Sequence, residues 1–138
     1  MRNITHIVVH CTATYHNTKI ENIKKYWKEV LGWKVPGYHF IIEANGNITQ
    51  LHPESLPSNG VAGHNSKLIN ICYIGGIDAA GKPFDNRTLN QKAAMIGMLK
   101  ELKNRYPNAE IVGHRDFPGV TKACPCFDAK AEYKILSK

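Results

Sequence analysis

The chain has 138 residues, of which 43% are hydrophobic and 21% are charged, and its 18 Lys and Arg outnumber its 11 Asp and Glu. A chain of this length and composition can bury roughly 70% of its unfolded surface, which excludes wholesale disorder and predicts one domain over residues 1–138. The formal charge of +7 favours an anionic partner, such as nucleic acid, an acidic lipid surface or a bacterial wall polymer. Net charge alone does not choose among these partners.

The apolar segments are too short for membrane insertion. None approaches the roughly 18 residues that a bilayer-crossing helix needs, and polar side chains interrupt the first ten residues too often for a secretory signal. We therefore expect cytoplasmic synthesis, no membrane insertion and, for lack of a long apolar seam, a monomer. In a reducing compartment the four cysteines would be free thiols, which leaves metal binding open for some of them.

A strand and a helix are predicted at the start of the chain. Residues 4–11 carry apolar side chains on both alternating faces, which is typical of a strand covered on both sides. Thr18 and Glu21 have the spacing of a capping box, so we expect a helix to begin at Thr18 and to end at Gly32. Its predicted apolar stripe consists of Ile20, Ile23, Trp27, Val30 and Leu31.

The middle of the chain predicts a hairpin, a long loop and a buried strand. Segments 38–43 and 48–52 have the composition of strands, and Asn45-Gly46 between them is the strongest short signal of a hairpin turn. The segment 53–70 is rich in Ser, Asn, Gly and Pro, and loops of that length are often functional. A buried strand is expected at 71–76, where it ends in two glycines.

The last third predicts a long helix, one strand and a short closing helix. Thr88 and Gln91 form a second capping box, and Pro107 ends the helix that it begins. The predicted apolar stripe of this helix consists of Leu89, Ala93, Ile96, Leu99, Leu102 and Tyr106. A strand over 109–113, an irregular loop over 114–125 and a helix over 128–136 follow. Together the elements predict an α/β fold: a single domain with a central mixed β-sheet flanked by helices.

Polar side chains at strand ends are the first candidates for a site, because loops converge on ligands there. His10 lies at the exit of the first predicted strand, His114 follows the last one, and Cys124 lies in the same loop as His114. Two imidazoles and a thiolate would supply three ligands to a catalytic zinc and leave one position for water. Histidines at strand ends are also common as hydrogen-bonded packing residues, and spacing alone leaves both interpretations open.

Five short segments occur in an order that a known family shares. They are His10-Cys-Thr-Ala-Thr14, Gly37-Tyr-His-Phe-Ile-Ile42, Ile74-Gly-Gly-Ile-Asp78, Gly113-His114 and Lys122-Ala-Cys-Pro125. In this order and spacing they resemble the zinc-dependent N-acetylmuramoyl-L-alanine amidases of the phage-lysozyme type, relatives of the peptidoglycan recognition proteins. The resemblance covers about residues 4–133 and implies a peptidoglycan recognition protein-like fold.

The resemblance also implies a reaction and a set of roles. His10, His114 and Cys124 match the zinc ligands of the family, Tyr38 matches the tyrosine beside the zinc-bound water, and Lys122 matches the lysine over the scissile carbonyl. The implied reaction hydrolyses the amide between N-acetylmuramic acid and the L-alanine of the peptidoglycan stem peptide, as in a phage or prophage endolysin. Whether Tyr38 holds the water or relays a proton stays open.

Two features of the sequence depart from the family pattern. Cys126 stands two residues after Cys124, so an exchange of ligands is conceivable, and we prefer Cys124 because it belongs to the Lys-x-Cys-Pro segment. Gly63-His64-Asn65 resembles the loop of the family before its glycine-ended strand, in a shortened form. His64 is therefore a candidate substrate contact, with a purely structural role in the loop as the alternative.

Three functions compete on these facts. The first is a peptidoglycan-hydrolysing zinc amidase, and the second is a non-catalytic muropeptide-binding module on the same fold. The presence of all three ligand types together with Tyr38 and Lys122 favours the first. The third, binding of nucleic acid or of a regulatory protein through the basic surface, depends on net charge alone, so we expect no specific nucleic-acid partner.

Overall fold

A computed structural model describes residues 2–137 of the chain. The strands are β1 (His6–Cys11), β2 (Phe40–Ile42), β3 (Ile48–Gln50), β4 (Leu68–Tyr73) and β5 (Glu110–Gly113). The α-helices are α1 (Ile20–Lys25), α2 (Leu89–Arg105) and α3 (Ala129–Glu132). A π-helical turn over Tyr26–Val30 continues α1, and 3-10 turns cover Asn65–Lys67, His114–Asp116 and Lys134–Ser137. Within the described residues, no helix is both long enough and apolar enough to cross a membrane.

The five strands form one mixed sheet in the order β3-β2-β4-β1-β5. β1 pairs in parallel with both β4 and β5, β4 pairs in parallel with β2, and only the β2–β3 hairpin is antiparallel. The predicted α/β fold with a mixed sheet is therefore confirmed. β1 lies between β4 and β5, so its carboxyl end meets the carboxyl end of β5 at the same edge.

The two faces of the sheet are covered by different parts of the chain. On one face α2 and the C-terminal segment pack on alternate strand residues, of which Ile7, Ile71 and Ile111 are fully buried. On the other face Ile23 and Trp27, from α1 and its π-helical continuation, cover Ile41 and Cys72 of the sheet. Val61, from the loop before β4, covers Val8 and Val112 farther along that same face. This second face, between the α1 side and the loop, is where the polar side chains of the site lie.

The first helix differs from its prediction because Thr18 does not cap it. The helix begins at Ile20, its cap residue is Lys19, and no side chain accepts a hydrogen bond from its first turn. The Thr18 amide instead donates to the Tyr15 carbonyl in a turn that precedes the helix. Val30 and Leu31 are exposed rather than part of the predicted stripe.

The long helix has the predicted cap but a different buried face. The Thr88 hydroxyl accepts from the Gln91 amide and the Gln91 side chain accepts from the Thr88 amide, so the capping box is confirmed. Leu89 is 83% exposed, and the buried residues are Gln91, Met95, Met98, Leu99 and Leu102. The Gln91 side chain donates to the carbonyls of Ile42 and Ile74. These two bonds hold Gln91, and not Leu89, against the sheet.

Three other boundaries also move. β4 begins at Leu68, inside the segment predicted as a loop, and the closing helix is a single α-turn followed by a 3-10 turn. β2 begins at Phe40, so Tyr38 precedes the strand. Phe40 belongs to the core under α2, whereas Tyr38 packs with Trp27 on the opposite face. Although they are two residues apart, Tyr38 and Phe40 therefore do not share a face of the sheet.

Candidate metal centre

Three side chains of types that can bind a metal converge at the carboxyl end of β1. His10 lies on β1, His114 begins the 3-10 turn after β5, and Cys124 lies ten residues farther along the same loop. One ligand atom from each residue lies within 4.8 Å of those of the other two. The centroids of the two imidazole rings are 4.8 Å apart. The structure thus brings together the three residues that the sequence singled out as metal ligands.

Burial keeps both imidazoles neutral at pH 7. It lowers the pKa of His10 to about 3, with the neighbouring His114 as a second cause, while the hydrogen bond to Asn70 acts in the opposite direction. Burial likewise lowers the pKa of His114, and the nearby Lys122 ammonium adds to the effect. A neutral imidazole has a free lone pair on one ring nitrogen, which is the form that binds a metal.

The thiol of Cys124 is poised to ionise. Its pKa is lowered first by a side-chain hydrogen bond with Cys11, burial opposes this, and a backbone hydrogen bond and Lys122 lower it further. The backbone bond is the Cys11 amide, which donates to Cys124 Sγ at 3.2 Å. The pKa of Cys11 is raised, so Cys11 remains a thiol. A thiolate is the metal-binding form of cysteine.

Cys126 has a different environment from Cys124. Its thiol donates to the Gly76 carbonyl at 3.2 Å and lies 3.8 Å from Cys11 Sγ. Burial raises its pKa to about 11, so it is protonated at pH 7. It is not part of the three-residue group. The positions of the two thiols therefore favour Cys124 as the ligand.

The loop that carries His114 and Cys124 is tied both to itself and to the sheet. The Arg115 amide donates to the Cys124 carbonyl at 3.0 Å, which closes the loop on itself. The buried Tyr73 hydroxyl donates to the Pro125 carbonyl at 2.6 Å. A loop held in this way positions its side chains before any ligand arrives.

The three residues lie in a cleft of about 660 Å³. Tyr38 and Lys122 also line it, together with the aromatic side chains Tyr26, Trp27 and Trp33 on the α1 side and Asn59 and Gly60 on the loop side. The centroid of the Tyr38 ring is 5.1 Å from that of His10, and its hydroxyl is 3.5 Å from the Cys11 carbonyl. Burial raises the pKa of Tyr38 well above its ordinary value, so the phenol is neutral. Lys122 is exposed at the cleft wall.

The structure places His64 elsewhere. It is exposed, its ring lies 5.0 Å from the ring of Phe117, and it lines a separate hollow with His6 and Asp116. Residues lining the cleft do not include it. We therefore leave His64 out of the candidate site.

One buried residue of the site was missed in the sequence. Asn70 lies in β4, is fully buried, and accepts a hydrogen bond from His10 Nε2 at 2.8 Å through its Oδ1. The signal was available, because an amide side chain within the apolar run Leu68-Ile-Asn-Ile-Cys72 must find a partner when both faces of the strand are covered.

Comparison with known proteins places the chain among cell-wall amidases. The sequence profile of the family described as N-acetylmuramoyl-L-alanine amidase matches residues 1–127. The chain is 41% identical over 122 residues to the endolysin of Enterobacteria phage K11, covering 87% of this chain and 79% of that protein. It is 36% identical over 126 residues to the endolysin of Escherichia phage T7, covering 90% and 82%.

Solved structures show the same fold. The N-acetylmuramoyl-L-alanine amidase LysC from Clostridium intestinale superimposes with a TM-score of 0.81 at 26% identity, covering 99% of this chain and 88% of that one. The endolysin of the Thermus scotoductus bacteriophage Ph2119 gives a TM-score of 0.81 at 22% identity, covering 99% and 86%. A bumblebee peptidoglycan recognition protein, PGRP-SA, gives 0.79 at 19% identity, covering 97% and 82%.

Proposed function

This chain belongs to the N-acetylmuramoyl-L-alanine amidase family and is a peptidoglycan-hydrolysing amidase of the endolysin kind, and we propose that it works with one zinc ion held by His10, His114 and Cys124. The observation that carries this proposal is the convergence of these three side chains within 4.8 Å at one edge of the sheet. Three protein ligands are the usual number at a catalytic zinc.

The chemistry of the three ligands suits zinc. Two imidazoles kept neutral by burial and one thiol with a lowered pKa form a mixed nitrogen and sulfur set, which matches the borderline softness of this ion. When bound, zinc lowers the pKa of a water molecule to about 7 and so supplies a nucleophile for amide hydrolysis at neutral pH.

Tyr38 and Lys122 have the positions and charges that the rest of the reaction needs. The Tyr38 phenol remains neutral and lies beside His10, where its hydroxyl can orient the attacking water. The Lys122 ammonium lines the same cleft next to His114 and Cys124, where it can stabilise the negative charge that develops on the scissile carbonyl oxygen. We assign Tyr38 to positioning of the water and Lys122 to the oxyanion.

The aromatic wall and the net charge would act before the reaction. Tyr26, Trp27 and Trp33 offer apolar surface to the sugar or to the stem peptide. The charge of +7 attracts the protein to the anionic polymers of a bacterial wall.

We further propose that the monomer is active, because one chain supplies both the three ligands and the cleft. Sedimentation of the active protein tests this.

The experiment that tests the proposed function measures new amino groups released from purified sacculi. Zinc-loaded protein should release L-alanine amino termini, and a chelator should abolish the release until zinc is restored. Cys124→Ser should lose bound zinc and activity together, and Lys122→Met should retain zinc and lose most activity. Wild-type protein that binds zinc without releasing amines would be a binding module, and full activity of Cys124→Ser would refute the ligand assignment.

A further inference from the structure

A buried amide holds the imidazole of His10 from behind. Asn70 is fully buried on β4, and its Oδ1 lies 2.8 Å from His10 Nε2. Its Nδ2 donates to the Ser58 hydroxyl at 2.8 Å, and that hydroxyl is left to donate to His39 Nδ1 or to the Gly37 carbonyl. A turned amide would take the hydroxyl proton for its oxygen, so Ser58 would lose that second bond. The amide oxygen of Asn70 therefore faces His10, and an oxygen of this kind only accepts hydrogen bonds.

This contact decides which nitrogen of His10 carries the proton. A donor is needed at Nε2, because Asn70 Oδ1 cannot donate, and in a neutral imidazole the proton on Nε2 leaves the lone pair on Nδ1. Metal-binding histidines generally donate their other N–H to such a partner, which fixes the tautomer and the ring orientation. We propose that Asn70 is a positioning residue that holds His10 as the Nε2–H tautomer, with Nδ1 as its zinc-binding atom.

Asn70 is itself held by a further set of buried groups. Its backbone amide donates to His39 Nδ1 at 2.9 Å, and His39 Nε2 donates to the Leu56 carbonyl at 2.8 Å. The Ser58 hydroxyl lies 3.2 Å from His39 Nδ1 and 3.4 Å from the Gly37 carbonyl, and it can donate to either. His39 is therefore neutral with Nδ1 as an acceptor, in agreement with burial that lowers its pKa to about 4.

The loop before β4 packs directly on this amide. A Cβ atom added at Gly60 would come within 2.2 Å of the Asn70 side chain, so only glycine permits the approach. Gly60 also lines the cleft on the loop side. Ser58, Asn70 and His10 thus form a continuous buried chain from the loop that borders the cleft to the metal centre.

The inference rests on the proposed zinc site, and two measurements test it separately from activity. In metal-free protein, the two-bond nitrogen–proton couplings of ¹⁵N-labelled histidine report the tautomer of His10, which should be Nε2–H. Zinc affinity is then measured by competition with a chromophoric chelator. Loss of a residue that orients a ligand lowers metal affinity by about 10–100-fold, and we expect this range for Asn70→Leu and a smaller loss for Ser58→Ala.

Two further variants separate positioning from folding. Asn70→Asp keeps an acceptor at the same place, so it should preserve the Nε2–H tautomer of His10. Its zinc affinity should stay within about 3-fold of wild type, a smaller loss than the one expected for Asn70→Leu. Gln91→Met removes another fully buried amide, which bonds to the carbonyls of Ile42 and Ile74 and to the Thr88 amide and does not line the cleft. It should lower stability and leave zinc affinity unchanged.

The outcomes distinguish the two proposals. Wild-type protein that binds no zinc would refute the proposed function, whatever the variants do. Wild-type protein that binds zinc with an Nδ1–H tautomer of His10, or equal affinity in Asn70→Leu and wild type, would overturn the role of Asn70. If Asn70→Leu does not fold, an unchanged affinity in Ser58→Ala together with weakened binding in Asn70→Asp would overturn it instead.

Discussion

Acid should destabilise the metal-free protein over a pH range that its buried imidazoles define. The pKa of His10 is lowered to about 3 and that of His39 to about 4, in both cases chiefly by burial. In the unfolded chain both return to about 6.5. Below pH 6.5 the unfolded state therefore binds two protons that the folded state does not. The free energy of unfolding is at its full value above pH 6.5 and declines as the pH falls toward 4.

The magnitude follows from proton linkage. Each imidazole that is neutral when folded and charged when unfolded costs about 1.4 kcal/mol per pH unit, so the pair gives a slope of about 2.7 kcal/mol per unit. Between pH 7 and pH 5 the free energy of unfolding should fall by about 4 kcal/mol. His114, whose pKa is also lowered by burial, adds to the fall. The lowered carboxyl pKa values of Asp85 and Glu132 act only at more acidic pH.

Urea unfolding at half-unit intervals from pH 7 to pH 5, with chelator and reductant present, measures this slope. Fluorescence of Trp27 and Trp33, which pack with the core on the α1 side, follows the transition. His10→Asn should reduce the total fall by about 2 kcal/mol. His64→Asn, at an exposed position, is the matched control and should leave it unchanged. A fall of less than about 1 kcal/mol in the wild type would show that these imidazoles are protonated in the folded protein.

Three further predictions concern the core, the C-terminal segment and the two neighbouring thiols. Leu99→Ala should lower the free energy of unfolding by about 2–5 kcal/mol, because Leu99 is fully buried. Leu89→Ala should lower it by less than about 0.5 kcal/mol, because Leu89 is 83% exposed. Equal effects of the two variants in urea unfolding would contradict the observed buried face of α2. Arg87→Met should lower the free energy of unfolding by about 2 kcal/mol, because the buried guanidinium bonds to both Asp85 and Glu132. The loss is smaller than for a fully buried ion pair, because the two carboxylates are partly exposed. An unchanged urea midpoint would show that apolar packing alone holds the C-terminal segment. Cys126→Ser should leave zinc affinity within about 3-fold of wild type, whereas Cys124→Ser should weaken it by more than about 100-fold, which exceeds the effect of losing a residue that only orients a ligand. Competition with a chelator measures the zinc affinity of both variants. The opposite order of affinities would assign the ligand to Cys126.

Features that depend on a few neighbouring residues were predictable from the sequence. The Thr88 capping box is local, because both of its hydrogen bonds join residues three positions apart, and it appears as expected. The Thr18 box has the same spacing, yet its threonine is engaged in a turn with Tyr15. A capping pattern is thus a tendency that the preceding chain can override.

Side-chain orientation at the site needed the packed chain. The sequence showed that His10 and His114 each stand at the end of a predicted strand. The structure brings the two ends together, because β1 and β5 are parallel neighbours. The preference for Cys124 over Cys126 came from a short motif, whereas the hydrogen bonds that distinguish their thiols join residues more than 100 positions apart in one case and 50 in the other. No local pattern reports contacts of that range.

The sequence by itself determined the fold class, the family and the three residues that meet at the candidate metal centre, because hydrophobic periodicity and motif order are properties of the chain alone. Only the tertiary structure decided which face of α2 is buried, where His64 lies, and that Asn70 supports His10. Each of these depends on what lies opposite a side chain in space, and a buried polar group takes whichever partner the fold brings to it. The pairing of Asn70 with His10 across 60 positions is such a case.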